Sequence, residues 1–100
     1  MSDAALGPLQ NLWQAVTGGV GVLPASDRLA IAEGREAPAG MAVYLRLVRH
    51  AAHAITDKDV AALKTAGHDD EQIFEATVAA AVGAGFDRLH AAQRVLGGQG

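Results

Sequence analysis

Four side chains carry most of the chemistry this chain offers. Arg46, Arg49, His50 and His53 fall at offsets of zero, three, four and seven, so a single helix would present them on one face. Arginine forks match carboxylate and phosphate geometry, which makes this stripe a candidate binding face for a small anionic ligand or an acidic partner. His50 and His53 are also spaced to reach one metal ion, with His90 or Asp57 as a third ligand. The two arginines repel a cation, however, so no metal and no cofactor is expected. The plain alternative is a solvated basic surface paired with Asp57 and Asp59.

His50, His53 and Glu75 are the candidates for acid–base catalysis, yet no spacing closes them into a site. Glu75 suits an internal ion pair with Arg88 or Arg94, and that structural role is preferred to a catalytic one. His68 lies between a helix stop and a helix start and is expected to be exposed. His90, next to Leu89, is expected to be half-buried and bonded to backbone. The chain has no cysteine, which excludes disulfides, thiolate metal sites and thiol catalysis. Ser2 and Ser26 are the only serines, in terminal and capping positions, so no nucleophilic triad can be assembled. "TGGVGVLP" has glycines but no Lys-Ser/Thr and no strand–turn–helix context, and reads as a connector.

The elements that must position these residues are helical. Half the residues are apolar and only 4% are aromatic, so the apolar volume comes from Ala, Val and Leu. Pro8 opens a helix with Leu9, Leu12, Trp13 and Val16 as its apolar stripe, ended by Gly18 and Gly19. Ser26 caps a short helix over 27–33 that stops at Gly34. A third helix over 39–54 buries Met41, Tyr44, Leu45, Val48, Ala52 and Ile55, and the Arg/His stripe lies opposite.

Thr56 and Asp59 form a capping box, with Ile55 and Val60 as its hydrophobic staple, and Gly67 ends that helix. Asp69 and Gln72 form a second box that starts a helix running to Leu96. Gly83 and Gly85 interrupt it, through a kink or the close approach of another backbone. The prediction is an all-α, single-domain bundle of five to six helices. Residues 1–35 hold the N-terminal helices and connector, 39–96 the helical core and 97–100 a tail. The helices near 39–54, 57–66 and 70–82 are expected to be antiparallel neighbours.

A net charge of -3 argues against nucleic acid as a partner. No apolar run approaches the ~20 residues of a membrane span, and "MSDAALGPLQ" lacks a basic leader. No membrane association and a cytoplasmic location are expected.

The stretch from Val43 to Ala92 resembles the C-terminal part of the alkylhydroperoxidase-D-like superfamily, which includes carboxymuconolactone decarboxylases, and is most similar to its peroxidase-related branch. Tyr44 to Arg49, Thr56, Asp59, Val60, Leu63, Gly67, Asp69 to Glu71, Ile73, Glu75, Ala76 and the Asp87-Arg88 pair carry the resemblance. It implies an all-helical fold that assembles into oligomers. It does not carry over peroxidase chemistry, because the family's Cys-x-x-Cys centre has no counterpart here and its Asn-Arg pair reads Asp87-Arg88.

Together these readings predict a non-redox binding or assembly module. The alternative is a thiol-independent decarboxylase or isomerase that uses His and Arg at a subunit interface. A homo-oligomer through residues 70–96 is expected, with Ala79, Ala80, Gly83 and Gly85 letting a second helix approach closely.

Overall fold

The computed structural model describes residues 3–97. They fold into α1 (Asp3–Gly18), α2 (Ala25–Ala32), α3 (Ala42–His50), a 3₁₀ turn (Ala52–Ala54), α4 (Asp57–Thr65) and α5 (Asp70–Leu96). No strand occurs among the described residues. Ser2 and all of the expected tail but Gly97 lie outside them.

The joints follow from local chemistry. At the α4–α5 corner Gly67 adopts φ 104°, and His68 N–H and Gly67 N–H return to the carbonyls of Leu63 and Lys64 at 3.1 and 3.0 Å. This is a Schellman ending, which a residue with a Cβ would strain. Two residues later Asp69 and Gln72 exchange side chain-to-backbone bonds at 2.8 and 2.9 Å, a reciprocal capping box that satisfies two free N–H groups. At the start of α4, Asp59 Oδ2 accepts from Thr56 N–H at 2.8 Å, while Ile55 and Val60 each pack against the core. The end of α2 repeats the Schellman pattern, with Gly34 at φ 74° and Arg35 N–H bonded to Ala30 O at 2.8 Å.

Three boundaries differ from expectation. Helix α1 starts at Asp3, so Pro8 lies inside it and does not open it. Helix α2 starts at Ala25 directly after Pro24, whose carbonyl accepts from Asp27 and Arg28 N–H, so Ser26 sits inside the first turn and caps nothing. Helix α3 is shorter than 39–54. The turn at Gly40, with φ 84°, delays its start, and Ala51 leaves the helix at φ −155°. Arg88 donates to Arg49 O at 2.7 Å, satisfying one of the carbonyls that a helix terminus leaves open.

Helix α5 is the post around which the others stand. Leu23 meets Glu75 and Ala32 meets Gly83, so α2 runs parallel to α5. Tyr44 meets Thr77 and Arg49 meets Asp87, so α3 is also parallel to it, as the first and third of three successively antiparallel helices would be. Helix α1 runs the other way, with Val16 and Val20 near Phe74 and with Leu9 and Leu12 near Leu89. The core joins Ile31, Met41, Leu45, Leu63 and Ile73 to the small residues Ala76, Ala79 and Ala80.

Those small residues serve the chain's own packing. A Cβ at Gly83 would lie 1.9 Å from Ala32 O, so the end of α2 rests directly on α5. Ala79 and Ala80 are fully buried within the single chain. The expectation that Ala79, Ala80 and Gly83 receive a second subunit is therefore corrected: α2 already occupies that face. Gly85 differs, because its Cβ would meet nothing within 4 Å.

Candidate functional site: a cationic groove between α2 and α3

The same packing builds a groove. Because Gly83 lets Ala32 sit on α5, the Ala32 carbonyl lies where Arg49 Nη1 can donate to it at 3.3 Å. The Gly34 turn then wraps the guanidinium, whose carbon is 3.5 Å from where a Gly34 Cβ would stand. Arg49 Nη2 completes the anchor with an ion pair to Asp87 on α5. Only 12% of the Arg49 side chain remains exposed, so it is a wall of the groove with a fixed position.

Over this wall opens a cavity of about 340 Å³, lined by Ile31, Ala37 and Leu45 at its floor and by Arg35, Arg46, Arg49, His50 and Glu36 at its rim. The three arginines differ in commitment. Arg35 pairs with Glu33, at 2.8 Å through Nε. Arg49 pairs with Asp87. Arg46, one turn before His50, is exposed and has no hydrogen bond or ion pair among the described residues. The lining therefore carries three guanidinium groups against one carboxylate, Glu36, and leaves the Arg46 fork open to a ligand.

The expected stripe is thus only partly assembled. Arg46, Arg49 and His50 line one groove; His53 does not. The break at Ala51 puts His53 on the 3₁₀ turn, exposed and outside the cavity. Among the described residues no three His, Asp or Glu side chains gather as a metal-binding group.

Glu75 also lies outside the groove, on the α1 side of α5. Its carboxylate accepts Leu23 N–H at 2.9 Å and Val22 N–H at 2.8 Å. The bond from Leu23, then that from Val22, with the nearby charge of Arg28, holds its carboxyl below the ordinary 4.5 against the opposing effect of burial. It does not pair with Arg88 or Arg94 as expected. Arg28 is the counterpart that the sequence reading missed. It is 5% exposed and donates to Leu23 O and Val16 O, each at 3.1 Å, and to Gly19 O. One signal was available: Arg28, Ile31 and Ala32 share an i, i+3, i+4 spacing that places the arginine on the buried face of α2.

The two remaining histidines are structural. His68 Nε2 bonds Ala39 O at 2.7 Å and ties the turn before α3 to the α4–α5 corner. His90 is exposed and stands edge-on to Phe86 at 6.2 Å, not bonded to backbone as expected. A wider groove of about 580 Å³ borders Trp13, Phe86 and His90, but its charges are the carboxylates of Glu33 and Asp87, the wrong sign for an anion. Comparison with protein-family models, with curated proteins and with solved structures gives no match for this chain.

Proposed function

We propose that the chain is a non-redox helical binding module that holds a small anion, a carboxylate or phosphate compound, in the α2–α3 groove. One observation carries this reading: Arg46 is an exposed, uncommitted guanidinium beside a fixed Arg49 and the His50 imidazole. A guanidinium offers a bidentate fork to either anion, and charge-assisted bonds of this kind are about twice as strong as neutral ones. The carbonyls at the α3 C-terminus put negative potential at the His50 end, so the anion seats toward Arg46 and Arg35. The cavity of about 340 Å³ suits a ligand at the small end of the usual range.

The likeness of residues 43–92 to alkylhydroperoxidase-D-like proteins supports a helical module of that superfamily. The absence of cysteine removes the thiol chemistry of its peroxidases.

Titration with inorganic phosphate and with a dicarboxylate, followed by amide chemical shifts, tests the proposal. Shifts should cluster at residues 34–37 and 45–50, and added chloride should weaken them. Arg46→Gln should reduce affinity about tenfold, the scale of one charge-assisted bond. Asp87→Asn should raise it, because it frees the second fork of Arg49. Saturable binding that ignores both substitutions would place the anion elsewhere, and an absence of shifts would remove the proposal.

A further inference from the structure

The groove of about 580 Å³ where α1, α5 and the end of α2 meet has walls of a different chemistry from the anion groove. On α1, Gln10, Trp13 and Gln14 fall at offsets of zero, three and four, so they share one face. Helix α5 contributes Phe86, Asp87 and, one turn after Phe86, His90, and the end of α2 adds Glu33. The lining holds two carboxylates, two amides and no Lys or Arg. A volume of this size lies within the range of small-molecule pockets.

Two features of the lining select a cation. The rings of Trp13 and Phe86 are half-buried and meet edge to face, with centroids 5.1 Å apart and planes at 63°. In such a pair the ring that offers its edge keeps its own faces for another partner, and a ring face attracts a cation within about 6 Å of its centroid. The carboxylates, for their part, are only half committed. Glu33 takes both of its bonds from Arg35 on Oε1, and Asp87 takes Arg49 on Oδ2. Glu33 Oε2 and Asp87 Oδ1 are left without a partner among the described residues, and a carboxylate accepts at either oxygen.

We infer that this groove binds a small organic cation, a primary ammonium on an aryl or alkyl body. Its head donates to Glu33 and Asp87, and its body lies along Trp13 and Phe86. An ammonium carries three donors, enough for both open oxygens and one glutamine carbonyl. A metal ion fits less well: it would leave the aromatic walls unused, and no three His, Asp or Glu side chains gather to hold it among the described residues. The inference is independent of anion binding, since Arg46 lies outside this groove and Trp13 outside the other.

Trp13 is the only tryptophan, so its fluorescence reports this groove directly. Titration of the full chain with phenethylamine at neutral pH should change its emission saturably. Two probes of similar shape separate charge from apolar contact. Phenethyl alcohol, which is uncharged, should bind about tenfold more weakly, and hydrocinnamate should leave the emission unchanged. Amide shifts caused by the amine should cluster at residues 10–14, 33 and 86–90. Glu33→Gln, on an exposed side chain, should weaken the amine about tenfold, the scale of one charge-assisted bond, with helical circular dichroism intact. Arg46→Gln should leave the amine's affinity as it is. A Trp13 emission and an amide spectrum that the amine does not move would overturn the inference. So would equal affinity for the alcohol, which would make the groove an apolar slot, or an affinity that Glu33→Gln does not change.

Discussion

Arg28→Met removes the most heavily used side chain in the molecule while keeping most of its apolar stem. In the folded chain its guanidinium spans three carbonyls, Val16 O, Leu23 O and Gly19 O, at the end of α1 and along the connector to α2. The Leu23 backbone is held at both of its polar groups, its carbonyl by Arg28 and its N–H by Glu75. Hydrogen bonds to a charged group contribute ~1.5–3 kcal/mol each, and breaking a buried charged network costs ~3–5 kcal/mol. Val16 O and Gly19 O are only part-buried and can recover a bond from water, so the low end applies. The expected loss is therefore about 3 kcal/mol, a large share of the ~5–15 kcal/mol that stabilises a domain.

Urea unfolding followed by circular dichroism at neutral pH and one fixed protein concentration reads this directly. Arg28→Lys should fall between, because one ammonium cannot span the three carbonyls. Combining Arg28→Met with Glu75→Gln should give less than the summed losses, with a coupling of ~0.5–3 kcal/mol through the shared Leu23 backbone. A loss below ~1 kcal/mol for Arg28→Met, the size of an ordinary surface substitution, would refute the claim that this arginine fixes the connector.

Gly83→Ala and Gly85→Ala should move stability in opposite directions, although they are two residues apart on one helix. The first drives a methyl into Ala32 O and should cost ~1–3 kcal/mol or more, whereas the second enters open space and should gain up to ~1 kcal/mol; equal effects in thermal melts would contradict the packing described. Glu75 makes stability pH-dependent. Its carboxyl titrates below the ordinary 4.5 when folded, so its contribution is present above that value and is lost as pH falls through the depressed one. The advantage of wild type over Glu75→Gln should accordingly be constant near neutrality and shrink in acid, and an advantage independent of pH would show that the charge contributes nothing.

The sequence was most legible where residues close in the chain determine the outcome. Both capping-box starts and the Gly67 ending depend on residues three to five apart, and each forms as the spacing predicts. Legibility failed where a distant contact decides. Nothing near Ala51 in sequence announces the end of α3, because Arg88, thirty-nine residues later, caps Arg49 O. That break removes His53 from a stripe which helical spacing alone makes continuous. Glu75 was assigned an arginine on its own helix, whereas its partners are N–H groups fifty-two and fifty-three residues away. For Gly83 the sequence posed the right question, a kink or a close approach, but whether the approaching backbone belonged to the same chain was a tertiary fact.

What organises the molecule is the way α5 distributes its sides. Gly83 takes the end of α2 at backbone distance, which glycine alone permits, with Ala79 and Ala80 buried in the core beside it. Thr77, Asp87 and Arg88 engage α3 through polar bonds: Tyr44 Oη reaches Thr77 Oγ1 at 2.6 Å, and that hydroxyl donates in turn to Ile73 O. Glu75 anchors the connector that follows α1, and Phe86 meets Trp13 of α1 edge-on at 5.1 Å. Each of these sides uses either close backbone contact or a charge, and both hold a neighbour in one register. The Phe74–Leu89 stripe has neither, only apolar side chains that lie along α1.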